Sequence, residues 1–224
     1  MAPGGGWAAV IRRGSIPPEQ TDTDWAKFNR YEQRNKEVVG KPVAVLMGDS
    51  ITQGWAREDG AWLDGHKLVG RGISGQTTSQ MLVRFRRDVI ELQPEYVVIL
   101  AGINDIARNN GYITVENAFK NIVSMVELAQ VAGIKPILCT LTPAHEIGWR
   151  KRLGDPRPLI AQMNSLIVEY AAAHGIPVVD YHSAMKTEDG AMIPEYRRDA
   201  VHPNLSGYEA MEKVLLEVLQ QCKK

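Results

Sequence analysis

A serine directly after a glycine and an aspartate is the strongest nucleophile candidate in this 224-residue chain. Ser50 lies in the segment Gly48-Asp49-Ser50, immediately behind the apolar run 43–47, where a buried strand has to turn sharply into a helix. A hydroxyl at that turn faces the crevice above the strand, and the backbone N–H groups that open the helix point to an incoming anion. A serine there is also an ordinary helix N-cap, so position alone does not establish a catalytic role.

Acyl transfer by a serine requires a base, because the hydroxyl itself is a weak nucleophile. His202 is the candidate, since Asp199 stands three residues before it and a single turn of chain can carry both side chains. In that arrangement the carboxylate orients the imidazole and stabilises its charged form. The Asp-x-x-His motif is weak on its own, because many such pairs merely cap a helix.

Two further residues offer hydrogen-bond donors for the negative charge that develops on an attacked carbonyl oxygen. Asn104, which follows the apolar run 96–100, has a side-chain amide, and Gly75 has a backbone N–H that a ligand can approach closely. With the backbone N–H of Ser50 they make a three-donor oxyanion hole, in which each donor stabilises the transition state by roughly 3–4 kcal/mol. Taken one at a time, Asn104 is equally a turn residue and Gly75 a left-handed loop position.

The elements that must position these residues alternate between strands and helices. Five short apolar runs have the composition of strands that are covered on both faces, and they are 43–47, 68–69, 96–100, 136–140 and 177–180. Between them, apolar residues recur at helical spacing over 82–92, 115–129, 160–170 and 208–218. A first helix is expected over 25–38, capped by Asp24 and ended by Gly40.

This alternation predicts βαβ units, a parallel sheet and a single three-layer α/β domain. In such a sheet, ligands bind beyond the carboxyl ends of the strands. Ser50, Gly75 and Asn104 each follow a predicted strand, and the Asp199–His202 pair precedes the last helix. The order along the chain therefore concentrates the candidate residues at one rim of the sheet.

Four blocks in this order resemble the GDSL/SGNH hydrolase family. The blocks are Gly-Asp-Ser at 48–50, Gly-Ile-Ser-Gly-Gln-Thr-Thr at 72–78, Gly-Ile-Asn-Asp at 102–105 and Asp-Ala-Val-His-Pro at 199–203. Each block is short, but together and in this order they are highly specific, and they span most of the chain. One departure is visible, Ile51 in place of the family's leucine, and it keeps an apolar residue on the buried side of the turn.

The resemblance implies a flavodoxin-like three-layer fold around the five-stranded parallel sheet, with no metal and no organic cofactor. The roles that it implies are Ser50 as nucleophile, His202 as base, Asp199 as its orienter, Ser50, Gly75 and Asn104 as oxyanion donors, and Asp49 as a supporting residue. Residues 69–107 are most similar to the branch with platelet-activating-factor acetylhydrolase α subunits and bacterial carbohydrate acetylesterases. Homo-oligomers are compatible with that branch.

The implied activity is that of a serine esterase acting on short-chain acyl esters, above all acetyl esters, through an acyl-enzyme. Its expected substrate is a small molecule or a carbohydrate that carries O-acetyl groups. A lysophospholipase or thioesterase of the same family is an alternative. A metal-dependent phosphoesterase and a non-catalytic carbohydrate-binding module are two others, from different classes.

Other motifs point to different chemistry. The glycines of Gly70-x-Gly72-x-x-Gly75 match a dinucleotide fingerprint, but no acidic residue ends the next strand about 20 positions on, so loop geometry is the preferred explanation. Asp180 and His182 could form a rival dyad, or metal ligands together with residues 49, 105 and 202. A metal site leaves Ser50 unexplained, so helix-capping roles are preferred for Asp49 and Asp105.

The segment 142–158 is long for a connecting loop and carries Trp149 followed by Arg150-Lys151-Arg152. It forms either a lip over the site, with an aromatic platform and cations for a sugar or an acidic polymer, or a solvated loop, which is the favoured interpretation. Trp55 and Trp62, soon after the nucleophile, either stack on substrate or lie in the core.

Composition and charge exclude several classes of protein. The chain has 26 basic and 26 acidic residues and a hydrophobic fraction of 44%, so it lacks the basic excess typical of nucleic-acid-binding proteins. Cys139 and Cys222 cannot build a disulfide framework, and no stretch approaches the ~18 apolar residues of a membrane span.

The beginning of the chain differs in composition from the rest. Residues 1–20 are rich in Gly and Pro without periodicity, so a flexible tail is expected before a domain over 21–224. No signal-peptide core is visible, which favours a cytoplasmic protein, or an exported one whose signal has been removed.

Overall fold

Five parallel strands form one sheet in the computed structural model, which describes residues 24–223. The strands are β1 Ala44–Gly48, β2 Leu68–Gly72, β3 Tyr96–Leu100, β4 Lys135–Cys139 and β5 Val178–Val179. Their order in the sheet is β2-β1-β3-β4-β5, which is the flavodoxin-like order. The predicted α/β fold with a five-stranded parallel sheet is therefore confirmed.

The chain changes its direction of travel across the sheet between β1 and β3. Ala44 in β1 pairs with Leu68 of β2 on one side and with Tyr96 of β3 on the other. At such a switch point the connections after the two strands diverge and leave a crevice at the carboxyl ends. Because Ser50 follows β1 and Asn104 follows β3, the two residues flank this crevice.

Helices connect the strands and cover both faces of the sheet. They are α1 Glu32–Lys36, α2 Ser50–Glu58, α3 Gly60–Gly65, α4 Thr78–Asp88, α5 Ile103–Ile106, α6 Val115–Val131, α7 Arg157–His174, α8 Tyr181–Met185 and α9 Leu205–Gln221. Short 3-10 helices add Phe28–Tyr31, Ile90–Leu92, Gly148–Leu153 and Pro194–Tyr196. Every residue of β1 and β3 is buried, and successive side chains of a strand point to opposite faces, so helices must lie on both.

The predicted first helix over 25–38 is wrong in extent. The 3-10 helix Phe28–Tyr31 and the short helix α1 replace it, and Lys27 takes a left-handed conformation with φ 54°. Trp25 is 50% exposed and Phe28 37% exposed, so this segment has no continuous apolar face to hold a longer helix against the core. Asp24 accepts a hydrogen bond from the N–H of Asn29 instead of capping a helix at residue 25.

Two further predictions concern the beginning of the chain and membrane-spanning helices. The flexible tail predicted for residues 1–20 lies outside the described residues. Within the described range, none of the helices has the length and apolar composition that crossing a bilayer requires.

Candidate active site

Ser50 is the first residue of α2 and follows β1 with only Asp49 between them. This turn is tight because two glycines let the backbones approach. A Cβ on Gly48 would lie 2.1 Å from Oγ1 of Thr52, and one on Gly72 would lie 2.3 Å from the backbone nitrogen of Gln53. The glycines of the apparent dinucleotide fingerprint therefore include one that the packing of β2 against α2 requires.

The serine and histidine that the sequence separates by most of the chain lie within hydrogen-bond distance. Ser50 Oγ is 2.9 Å from Nε2 of His202, and Nδ1 of the same imidazole is 2.8 Å from Oδ2 of Asp199. The imidazole is mostly buried, with 16% of its side chain exposed, whereas the Asp199 side chain is 52% exposed. The three side chains thus form a serine–histidine–carboxylate arrangement, in which the histidine is placed to accept the proton of the serine.

The loop that carries His202 is held by its own aspartate. Oδ1 of Asp199 accepts the backbone N–H groups of Val201 and His202, each at 2.8 Å. Partial burial raises the pKa of Asp199, but these N–H bonds and the imidazole outweigh it and hold the pKa below its ordinary value. The carboxylate therefore stays ionised and fixes the ring through Nδ1.

Asn104 lies in α5 at the end of β3 and is buried. Its Nδ2 donates to the carbonyl oxygen of Gln76 at 3.0 Å and to Oδ2 of Asp49 at 3.2 Å. Gly75, which precedes Gln76, has φ +79°, a left-handed conformation that favours glycine. These contacts bring the blocks around Ser50, Gly75 and Asn104 together at the switch point.

Asp49 and Asp105 are buried carboxyl groups that cap helices, as their sequence positions suggested. Oδ1 of Asp49 accepts the N–H of Ile51 in α2, and Asp105 accepts the N–H and the hydroxyl of Thr78 at the start of α4. Burial raises the pKa of Asp49 to about 7 and that of Asp105 to about 6, against the opposing hydrogen bonds. Both carboxyl groups support the turns that carry the site.

Arg84 is a buried site-supporting residue that the sequence reasoning missed. Nη2 of Arg84 donates to the carbonyl oxygen of Gly48 at 3.0 Å, and its guanidinium also binds Asp88 and the side chain of Gln76. Residues 81, 84, 85 and 88 are all buried on one face of α4. A charged pair at i and i+4 on an otherwise apolar helical face was the signal that could have revealed it.

Trp149 comes from the long connection between β4 and α7 and reaches the site. Its ring centroid lies 5.9 Å from that of His202, and its Nε1 donates to Oδ1 of Asn109 at 2.9 Å. Of the two alternatives for 142–158, these contacts of Trp149 favour the lip over the site, and 43% of the residue stays exposed to solvent. Asn109, which no motif singled out, follows α5 and also contacts Asn104.

The remaining candidates, Asp180 and His182, have hydrogen-bond partners outside the group of Ser50, His202 and Asp199. Asp180 caps α8 and accepts the hydroxyl of Thr140, while Nδ1 of His182 is 3.2 Å from the carbonyl oxygen of Leu141. Among residues 24–223 no group of three or more His, Cys, Asp or Glu side chains is placed to hold a metal ion. Trp55 is buried and donates to Glu212, with Trp62 stacked against it, so the core position is the correct alternative for Trp55.

Comparisons with known proteins identify the family of the chain. The sequence profile of the GDSL-like Lipase/Acylhydrolase family matches residues 46–210. A GDSL-like lipase of known structure from Bacteroides thetaiotaomicron is 41% identical with a TM-score of 0.84, and the match covers 88% of this chain and 98% of that one.

Curated relatives are more distant. An acetylxylan esterase from Geobacillus stearothermophilus is 25% identical over 166 residues, 68% of this chain and 71% of that protein. The human isoamyl acetate-hydrolyzing esterase 1 homolog is 28% identical over 206 residues, 80% of this chain and 82% of that protein. An uncharacterized lipoprotein of Bacillus subtilis is 34% identical over 119 residues, 46% of this chain, and the match spans about half of that protein's length, 49%.

Proposed function

The chain belongs to the GDSL-like lipase/acylhydrolase family and is a carboxylic ester hydrolase, and we propose that it removes short acyl groups, above all acetyl groups, from carbohydrate esters. The observation that carries the mechanism is the 2.9 Å contact between Ser50 Oγ and His202 Nε2. A serine is a competent nucleophile only when such a base takes its proton.

In the proposed mechanism Ser50 Oγ attacks the ester carbonyl carbon while Nε2 of His202 accepts the hydroxyl proton. Asp199 accepts a hydrogen bond from the other ring nitrogen and stabilises the imidazolium that forms. The imidazolium then protonates the leaving alcohol, which leaves an acyl-serine. Water, deprotonated by the same imidazole, hydrolyses this ester and restores the free serine.

The negative charge on the carbonyl oxygen requires donors that are already in place. We assign this role to the backbone N–H groups of Ser50 and Gly75 and to Nδ2 of Asn104. The amide of Asn104 has two hydrogens, of which Gln76 takes one at 3.0 Å, and the longer 3.2 Å contact to Asp49 is the one with which the oxyanion competes. Asp49 therefore acts as a supporting residue that holds Nδ2 of Asn104 in position until the oxyanion forms.

The side of the site next to His202 receives the leaving alcohol, because His202 protonates its oxygen. Trp149 lies on this side and 43% of its surface remains exposed. An exposed indole face suits the apolar face of a sugar ring. The names of two relatives, an acetylxylan esterase and an isoamyl acetate-hydrolyzing esterase homolog, support acetyl as the acyl group.

Hydrolysis of p-nitrophenyl esters from acetate to octanoate, followed by acetylated xylan and isoamyl acetate, tests this proposal. We expect the highest kcat/KM with acetate, release of acetate from xylan, and loss of both activities in Ser50→Ala with an unchanged circular dichroism spectrum. A preference for octanoate would instead favour a lipase-type or lysophospholipase-type substrate. Full activity of Ser50→Ala would overturn the serine mechanism. Loss of the wild-type activity on treatment with a chelator would overturn it as well.

A further inference from the structure

A chain of side-chain hydrogen bonds leads from the exposed lip residue Trp149 to the buried amide of Asn104. We propose that Asn109, anchored by Trp149, is a positioning residue that sets which end of the Asn104 amide faces the reacting carbonyl oxygen. This inference rests on the proposed function, because it assigns the orientation of one proposed oxyanion donor. We call the three residues 149, 109 and 104 the amide relay.

The contacts of the amide relay are short and directional. Trp149 Nε1 donates to Oδ1 of Asn109 at 2.9 Å, and Nδ2 of Asn109 donates to Oδ1 of Asn104 at 2.7 Å. The same Nδ2 lies 3.3 Å from the carbonyl oxygen of Gly75, the residue that carries the other proposed loop donor. Asn109 therefore touches both segments that supply donors to the oxyanion.

The direction of the relay follows from the chemistry of its first member. An indole N–H only donates, so Asn109 has to present its oxygen to Trp149 and its NH₂ group to Asn104. Asn104 then accepts through Oδ1 and keeps its own NH₂ group on the opposite side, towards Asp49 and Gln76. With either amide turned over, two oxygens or two NH₂ groups would face each other.

Asn109 is the residue on which the carbonyl end of the Asn104 amide depends. Among the described residues it is the one hydrogen-bond donor to Oδ1 of Asn104, and Asn104 is buried. A buried amide oxygen that loses its donor is left unpaired, which frees the amide to move from the position in which its NH₂ group meets the oxyanion. Preorganised donors are effective because they need no rearrangement during the reaction, so this motion reduces kcat rather than substrate binding.

The ring of Trp149 and its N–H contribute separately. The ring lies beside His202 and walls the leaving-alcohol side, whereas the N–H anchors Asn109. Trp149→Phe removes the N–H while keeping a smaller aromatic ring beside His202, and it is expected to lower kcat severalfold with little change in KM. Trp149→Ala removes both and is expected to raise KM for an acetylated sugar as well.

Asn109→Asp and Asn109→Ala together test the positioning role. We expect Asn109→Ala to lower kcat for p-nitrophenyl acetate by about tenfold, and Asn109→Asp to lower it by about 10²-fold at pH 8, because a carboxylate then faces Oδ1 of Asn104. As the pH falls and the introduced carboxyl group gains a proton, it can donate to Oδ1. The kcat of Asn109→Asp relative to wild type should therefore rise at low pH, whereas that of Asn109→Ala should stay constant.

The neighbouring pair Trp25 and Asn110 provides matched controls. Trp25 Nε1 contacts Oδ1 of Asn110 at 3.4 Å, both residues are exposed, and their bond does not lead to Asn104. We expect wild-type kinetics from Trp25→Phe and Asn110→Asp across the same pH range.

The outcomes separate this inference from the proposed function. If wild type hydrolyses the ester and Ser50→Ala does not, but Asn109→Asp matches wild type at every pH, the amide relay is wrong and the esterase mechanism stands. A change in KM alone, or a pH response shared by Asn109→Ala, would also overturn it. If Ser50→Ala stays active, the proposed function itself fails.

Discussion

Arg84 donates a hydrogen bond from Nη2 to the carbonyl oxygen of Gly48, 3.0 Å away and two residues before the proposed nucleophile. Its guanidinium is fully buried and pairs with Asp88 at 2.9 Å. Burial lowers the pKa of Arg84 and the bond to Asp88 opposes this, but a guanidinium remains charged in proteins. A buried cation therefore stabilises the turn between β1 and α2 through the carbonyl oxygen of Gly48.

Removal of this cation should destabilise the fold. In Arg84→Met the buried Asp88 carboxylate loses its cationic partner and keeps only the amide of Asn35, so the free energy of unfolding should fall by about 3–5 kcal/mol in urea titrations. Arg87→Met on the same helix removes a partly exposed partner of Glu32, 3.3 Å away, and should cost less than about 1 kcal/mol. Equal losses in the two variants would contradict a supporting role for the buried pair.

The amide of Asn104 should matter to the rate far more than to the fold. Asn104→Ala removes one proposed oxyanion donor, so kcat for p-nitrophenyl acetate should fall by about 10²–10³-fold. Asn164 is a suitable control, because it is also buried and its Oδ1 accepts the backbone N–H of Leu141 at 2.7 Å. Asn164→Ala should lose stability while keeping kcat. An unchanged rate in Asn104→Ala would remove Asn104 from the oxyanion hole.

The tautomer of the His202 ring depends on Asp199, because a carboxylate accepts hydrogen bonds and does not donate them. In Asp199→Asn the amide oxygen is drawn to the two backbone N–H groups that Oδ1 now accepts, which turns an NH₂ group towards Nδ1 of His202. That contact favours the tautomer with its proton on Nε2, which cannot accept the proton of Ser50. We expect kcat to fall by about 10⁴-fold in steady-state assays, with KM little changed. Asp155→Asn, which breaks an exposed pair with Arg157, should leave kcat alone.

The sheet could be predicted because its strands are buried on both faces. The run 96–100 coincides with β3, where all five residues are buried, and such runs have few alternative structures. The segment over 25–38 was harder, because its apolar residues suit a helix by spacing while two of them remain exposed. The structure of that segment depends on which of its side chains are buried by tertiary contacts, and the sequence alone does not show this.

The candidate active site likewise contains residues that the sequence predicts and residues that it does not. Ser50, Asn104 and His202 stand in short motifs next to predicted strands and helices, so their meeting follows from the topology of a parallel sheet. Asn109 and Trp149 are joined across 40 positions by one hydrogen bond. Such a contact depends on the path of an irregular loop, and neither residue belongs to a periodic pattern.

Asp49 should make stability fall as the pH rises. Burial raises its pKa to about 7 in the folded protein, whereas an aspartate in an unfolded chain has a pKa of ~3.9. Between these values the folded state holds more protons than the unfolded state, so the contribution of Asp49 to stability is present below pH ~4 and is lost as the pH rises through 7.

The pH dependence of Asp49→Asn tests this expectation, because the substitution removes the titration. Its free energy of unfolding relative to wild type should increase by about 2–3 kcal/mol between pH 5 and pH 8, whatever its constant effect on capping. Asp59 also caps a helix, by accepting the N–H of Trp62 at 3.1 Å, but is only half-buried. Asp59→Asn therefore separates the effect of burial from that of capping. If the difference between Asp49→Asn and wild type stayed constant from pH 5 to pH 8, Asp49 would be ionised throughout that range, and a neutral carboxyl group beside Ser50 would be ruled out.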